Sequence, residues 1–220
     1  MVKKLLLTLC LLSSTSLFAQ LRVGVSSGVT LNNLDCSSGW YYDREYQTAS
    51  GFSVAIPVQY DFKEWFSVKV EPSYMKKNYT DYRQSLGAEI TSKNGFLQLP
   101  AMAQFSVGGE KLRGYTSLGA YIGYWSGGST QGEYYNIFSG RMDFITAEYE
   151  FNSTRDNRFD GGVLCGLGIE YLVCNNIYIN AETRLLYGLT DMQKEYMLYQ
   201  YPRYNTTFVF ELGVSYKFNK

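Results

Sequence analysis

Along eight stretches of the chain, apolar residues recur at every second position and polar residues fill the gaps between them. The first stretch carries Leu21, Val23, Val25, Ser27, Val29 and Leu31 on one face, and the last carries Phe208, Phe210, Leu212, Val214, Tyr216 and Phe218. The six between them start at Phe52, Phe66, Leu97, Thr116, Val163 and Ile177. A period of two is the signature of a β-strand, whose side chains point alternately to opposite faces. Of the 44 positions on these faces forty are apolar and none is charged, so one whole face of the sheet belongs in hydrocarbon-like surroundings.

The 36 interleaved positions read differently. Only seven are apolar, and the rest are mostly Gly, Ser, Thr, Gln and Asn with eight charges. Four are basic (Arg22, Lys69, Arg184, Lys217) and four acidic (Glu71, Glu170, Glu182, Glu211). Three connections between stretches are short, at 61–65, 108–111 and 172–176, and four are long, at 32–49, 78–93, 126–158 and 188–204. Turn, loop, turn, loop is the connectivity of an up-and-down meander. The fold class read from the pattern is all-β: an eight-stranded antiparallel up-and-down barrel. Pro57, Pro72 and Pro100 interrupt it, because proline has no ladder donor, and bulges or strand ends are expected at each.

Alternation alone does not say which face is inside. A soluble barrel of the lipocalin kind turns its apolar face inward. A membrane barrel turns it outward. Three features favour the second: the polar face is rich in Gly and Ser, the apolar stripes carry aromatics near their ends, and long loops fall on one side with tight turns on the other. A transmembrane β-barrel is therefore expected, with the secreted soluble barrel as the alternative. Lipid cannot satisfy backbone N–H and C=O groups, so such strands must close on themselves. With eight strands the lumen is filled by side chains, and the eight charges must pair.

Met1 to Ala19 has Lys3 and Lys4 followed by the apolar run Leu5 to Leu12, which reads as a secretory signal ending at Ala19. Cys10 follows Leu9 where a lipobox would have a small residue, so lipidation is not expected. The barrel domain is then Gln20 to Lys220. It keeps Cys36, Cys165 and Cys174, an odd number that cannot form a closed disulfide framework. With 18 basic and 20 acidic residues its net charge is −2, and no basic face is offered to nucleic acid. No cofactor is expected.

The 220-residue chain has no His, which removes Ser-His-Asp and Cys-His catalysis and imidazole metal sites. A non-enzymatic role is expected. Glu182 with Arg184, and Lys69 with Glu71, could form an ion path; the plainer reading is a salt-bridge network that locks the lumen. Twelve of the 21 Tyr fall in the loops. Trp40, Tyr41, Tyr42, Tyr134, Tyr135, Tyr199 and Tyr201 could form an adhesive surface, or could belong to an outer girdle or to strands continuing past the membrane. The 126–158 segment is the leading functional element, and Met142 to Phe151 could extend the barrel as a hairpin.

Three motifs carry a family likeness. Gly119-Ala120-Tyr121-Ile122-Gly123-Tyr124 after the Gly108-Gly109 turn, Gly166-Leu167-Gly168-Ile169-Glu170-Tyr171, and the closing Leu212-Gly213-Val214-Ser215-Tyr216-Lys217-Phe218 resemble the small outer-membrane β-barrel proteins of the PorT-like type found in Bacteroidota. The resemblance implies a signal peptide, an eight-stranded barrel and outer-membrane residence; a monomer with both termini periplasmic is expected. It implies no reaction. PorT itself is linked to protein secretion and gliding, so the likeness admits a secretion-apparatus partner. The partners expected are outer-membrane lipid and an extracellular or secretion-apparatus protein; a small solute channel is the alternative function.

Overall fold

The computed structural model describes residues 20–36, 44–194 and 202–218. The signal segment lies outside the described residues, as do Trp40, Tyr41, Tyr42, Tyr199 and Tyr201. Among the described residues there are twelve strands: β1 (Leu21–Cys36), β2 (Arg44–Ala55), β3 (Val58–Lys63), β4 (Phe66–Val70), β5 (Ser73–Lys76), β6 (Tyr79–Arg83), β7 (Ala88–Gly108), β8 (Leu112–Asn136), β9 (Arg141–Glu148), β10 (Phe159–Cys174), β11 (Ile177–Gly188) and β12 (Arg203–Lys217).

Every pairing is antiparallel, and the pairings run in a circuit. β1 pairs with β12, β12 with β11, β11 with β10, β10 with β8 and β8 with β7. The far side of β7 meets β4, β5 and β6 in turn. These pair with β3 and β2, which return to β1. The result is an all-β barrel of antiparallel strands.

Where eight unbroken strands were expected, proline accounts for much of the difference. Pro57 separates β2 from β3, and Pro72 separates β4 from β5. Pro100 departs from the expectation: it lies inside β7, opposite Tyr121, without a bulge. Its carbonyl accepts from the Glu71 N–H at 3.0 Å. The N–H and C=O of one strand residue point to the same side, so the donor Pro100 lacks would face the break between β4 and β5, where the ladder is already interrupted.

The long connections are shorter than the sequence reading drew them. β1 runs on to Cys36, β7 begins at Ala88 and β8 reaches Asn136. Alternation weakens there because both faces leave the apolar layer. Arg141–Glu148 folds back on β8, as the hairpin reading anticipated. Tyr134 and Tyr135 are accordingly strand residues of β8, opposite Asp143 and Met142, and not loop residues.

The apolar stripes face outward. Val25 is 63% exposed, Leu167 65% and Leu212 57%. A lipocalin-like barrel would bury these side chains. At the tight-turn end the outer wall carries an aromatic group: Tyr60 against Phe62 at 4.7 Å, Trp65 stacked on Phe105 at 6.3 Å, and Tyr216 against Phe218 at 5.1 Å. This is the interfacial position such rings favour.

Candidate functional site

The polar faces meet in the lumen and form three tiers of ions. Nearest the tight turns, the Arg22 guanidinium makes a two-point contact with Asp61, Nε to Oδ2 at 2.9 Å and Nη2 to Oδ1 at 3.1 Å. It also donates to Glu170 Oε2 at 2.7 Å and lies 4.3 Å from the Tyr178 ring centre. Lys217 Nζ is 3.1 Å from Asp61 Oδ2.

The middle tier holds Lys69, Glu71, Glu182, Arg184 and Glu211. Arg184 binds both oxygens of Glu71, at 2.6 and 2.9 Å, donates to Glu182 Oε2 at 2.9 Å, and approaches Glu211 Oε2 at 3.1 Å. Lys69 donates to Glu182 Oε2 at 2.6 Å. Tyr115 and Ser117 hydroxyls donate to the two oxygens of Glu182 at 3.1 and 2.7 Å, and Ser53 donates to Glu211 at 2.8 Å. Every charged member is buried. Charges taken out of water need this density of partners to offset lost hydration.

The third tier is a pair. Lys77, fully buried, donates to Asp160 Oδ2 at 2.7 Å. Its ammonium lies 4.7 Å from the Tyr121 ring centre and 5.2 Å from that of Phe96. Gln98 donates to the same Asp160 oxygen at 2.9 Å.

The eight charges singled out from sequence thus fall into two of these groups. Three further lumen ions, Asp61, Lys77 and Asp160, were missed. All three continue the inward parity of their strands, from Gln59 to Asp61, from Ser73 to Lys77 and back from Leu164 to Asp160. They were missed only because the strand ends were drawn short. With them the count is five basic to six acidic, so the 4:4 balance does not survive.

Above the ions the lumen turns apolar, which the alternation pattern did not foresee. Leu34, Met75, Phe96, Trp125, Leu164, Leu186, Met192 and Val209 form a buried cluster. Phe96 stacks on Trp125 at 6.0 Å. Tyr149 and Phe151, from the segment after β9, cover Trp125 at 4.7 and 4.9 Å. Tyr46 and Tyr79 also pack against this cluster, so three of the tyrosines expected in surface loops line the barrel mouth instead.

The covering segment is pinned by Asp156, which accepts from the Asn152 N–H at 2.8 Å, the Tyr149 hydroxyl at 3.0 Å and the Arg155 guanidinium at 2.7 Å. Burial pushes the Asp156 carboxyl up, but Arg155 and these hydrogen bonds outweigh it and hold the group below the usual carboxylate range. Burial and the Asp156 carboxylate push the Tyr149 hydroxyl up to about 12.

Little space is left inside. A gap among the ions lined by Arg22, Gln59, Lys69, Glu71, Gln104 and Glu170, among others, measures about 20 Å³, room for about one water. Among the described residues the arrangement ties β1, β3, β4, β8, β10, β11 and β12 together across the lumen.

A family model described as outer membrane protein beta-barrel domain matches residues 18–194. No curated protein sequence matches the chain. Among solved structures, the outer membrane protein OprG from Pseudomonas aeruginosa is 12% identical with a TM-score of 0.50, covering 92% of this chain and 97% of that one. Neisserial surface protein A is 17% identical with a TM-score of 0.43, covering 89% and 97%. Ail, the attachment invasion locus protein of Yersinia pestis, is 14% identical with a TM-score of 0.42, covering 89% and 98%. At these identities the likeness is one of fold.

Proposed function

The chain belongs to the outer membrane protein beta-barrel domain family, and on that premise we propose that it is a non-catalytic barrel that anchors in the outer membrane and presents its long-loop end to a protein partner outside the cell. The twelve strands act as eight staves: β2 with β3 make one, β4 to β6 make another, and β9 is the return arm of a hairpin standing above the wall. Both termini face the periplasm, on the side of the tight turns.

The observation that carries this reading is the closed lumen. Three tiers of buried ions lie beneath an aromatic plug, and such a core stabilises a barrel without conducting through it. The presented surface is the β8–β9 hairpin, whose turn exposes Ile137 and Phe138 completely or nearly so. Exposed aromatic and aliphatic groups at a rigid tip are common anchors of protein recognition. In the PorT-like form of this reading the partner belongs to a secretion apparatus.

The test is conductance of the folded protein in a planar bilayer. Silence across salts from about 0.1 to about 1 M, over which the Debye length falls from about 10 to about 3 Å, is the expected result. Discrete ohmic steps would favour the small solute channel instead.

A further inference from the structure

β9 is the last strand of its sheet. Among the described residues it pairs with β8 alone, in a register without a bulge. The N–H of Tyr149, the next residue along, donates to the Gly128 carbonyl of β8 at 2.9 Å. In an antiparallel ladder alternate residues turn both backbone groups to the same neighbour. Arg141, Asp143, Ile145 and Ala147 therefore face β8, while Met142, Phe144, Thr146 and Glu148 turn their N–H and C=O groups to the open side. Natural edges are blunted by proline, lysine, a bulge or short length. This one has no proline, lysine or bulge and runs for eight residues.

The face beside that edge carries an unusual row. Glu89 on β7 lies directly opposite Glu133 on β8, and Phe144 on β9 is the next residue in line. Directly opposed residues share a face, and like charges so placed destabilise a sheet. With Thr91 and Gln131 the three line a hollow of about 430 Å³. Lys93, on the same face, donates to Gln131 at 3.0 Å. Phe144 is 63% exposed and stands between the two carboxylates and the open edge.

We propose that the open edge of β9 takes an extended segment of a protein partner as an added antiparallel strand, with a basic residue opposite Phe144 and an apolar residue opposite Met142. The backbone supplies the ladder and the alternate side chains supply the selectivity. The basic residue lies two strand spacings of about 4.8 Å each from Glu133. Its side chain crosses the Phe144 ring, a favourable seat for a cation, and relieves the carboxylate pair. The residue two places further on meets Met142 beside Tyr135, its opposite on β8. The order along the partner is therefore basic, any residue, apolar. A second copy does not fit, because only Met142, Phe144, Thr146 or Glu148 of its own edge could stand opposite Phe144, and none is basic. The proposal rests on the reading that the long-loop end meets a protein partner, and it names the chemistry of that partner.

The test is fluorescence anisotropy of a labelled peptide, Thr-Ser-Thr-Ser-Arg-Ser-Leu-Ser, with the full barrel in micelles, folding being checked by heat-modifiable gel migration. Saturable binding is expected, at least about tenfold weaker when Glu replaces the Arg. N-methylation of the Arg and Leu, whose N–H groups face β9, is expected to weaken it as much, and N-methylation of the Ser on either side of the Arg to leave it unchanged. On the barrel, Glu133→Gln and Thr146→Pro are each expected to lower affinity about tenfold; the second removes an open-side N–H without touching a bond to β8. The methylated peptides keep the test decisive should a variant fail to fold. Indifference to the methylation pattern, equal binding of the Glu peptide, or no binding by the folded native barrel would each overturn the proposal. Barrel dimers that Thr146→Pro dissolves would assign the edge to a second copy and overturn it as well. Binding by the purified barrel but not by intact cells would support the edge and sink only its presentation outside the cell.

Discussion

Tyr115 reaches Glu182 by crossing Gly168. Gly168 is the cross-strand partner of both, on β8 and on β11, and the Tyr115 hydroxyl donates to Glu182 Oε2 at 3.1 Å. A Cβ at position 168 would stand 2.4 Å from the Tyr115 ring, so glycine is what lets the ring lie flat over the wall. Gly168→Ala is expected to cost about 1–3 kcal/mol, as overpacking does, and Tyr115→Phe about 1 kcal/mol for the lost hydrogen bond. Urea unfolding in micelles measures both. A Gly168→Ala barrel as stable as the native one would show that the ring moves away freely.

The middle tier holds three carboxylates for two cations, so its members should not be equivalent. Arg184→Met leaves Glu71, Glu182 and Glu211 short of their shared cation and is expected to cost about 3–5 kcal/mol. Glu211→Gln keeps an acceptor for Ser53 and removes the surplus negative charge, and should cost under about 1.5 kcal/mol. Comparable losses from the two substitutions would mean that the five charges do not act as one network.

The cover over Trp125 should hold in a bounded pH window. The Asp156 carboxyl is depressed, so its contribution is complete above the ordinary carboxylate value near 3.8 and is lost as pH falls through the lower folded value. The Tyr149 hydroxyl is raised from 10 to about 12, so its contribution is complete below 10 and is lost as pH climbs towards 12. Near-UV circular dichroism of the aromatic cluster is expected to change at both edges, and Asp156→Asn should remove the acid edge and, by taking away the carboxylate that helps raise the Tyr149 hydroxyl, bring the alkaline edge to lower pH. An acid transition unchanged in that variant would assign it to another group.

Chymotrypsin added to intact cells should cut at Phe138, which stands fully exposed between β8 and β9, and should spare Trp65 in the tight turn between β3 and β4. Cleavage at Trp65 with Phe138 protected would reverse the orientation proposed for the barrel.

Much of this architecture was legible in the residues, because a barrel wall in lipid enforces alternation with few exceptions. The outward stripe from Val23 to Leu31 and its partner from Phe208 to Tyr216 face one another as the pattern implied. What escaped notice did so where that constraint lapses. Beyond the apolar layer the outward face can be polar, so Lys77 and Asp160, which lie past the outermost apolar positions Tyr74 and Val163 of their stripes, were left out of the lumen charges. The inward face near the mouth becomes apolar because Trp125 and Phe96 pack against a segment returning from β9, a tertiary contact that no local period encodes.

The seam of the wall joins the beginning of the described chain to its end: Arg22 faces Lys217, and fifteen residue pairs hold β1 to β12. Arg22 and Lys217 stand 217 − 22 = 195 positions apart, and the entropic cost of closing so long a loop must be met before any of the fifteen pairs can form. Closure therefore waits for the final strand to be delivered. Until then the sheet has two open edges, which are templates for mispairing. The nascent protein has to be kept apart from its own copies for the whole time it takes to export, and the last strand decides when that guardianship can end.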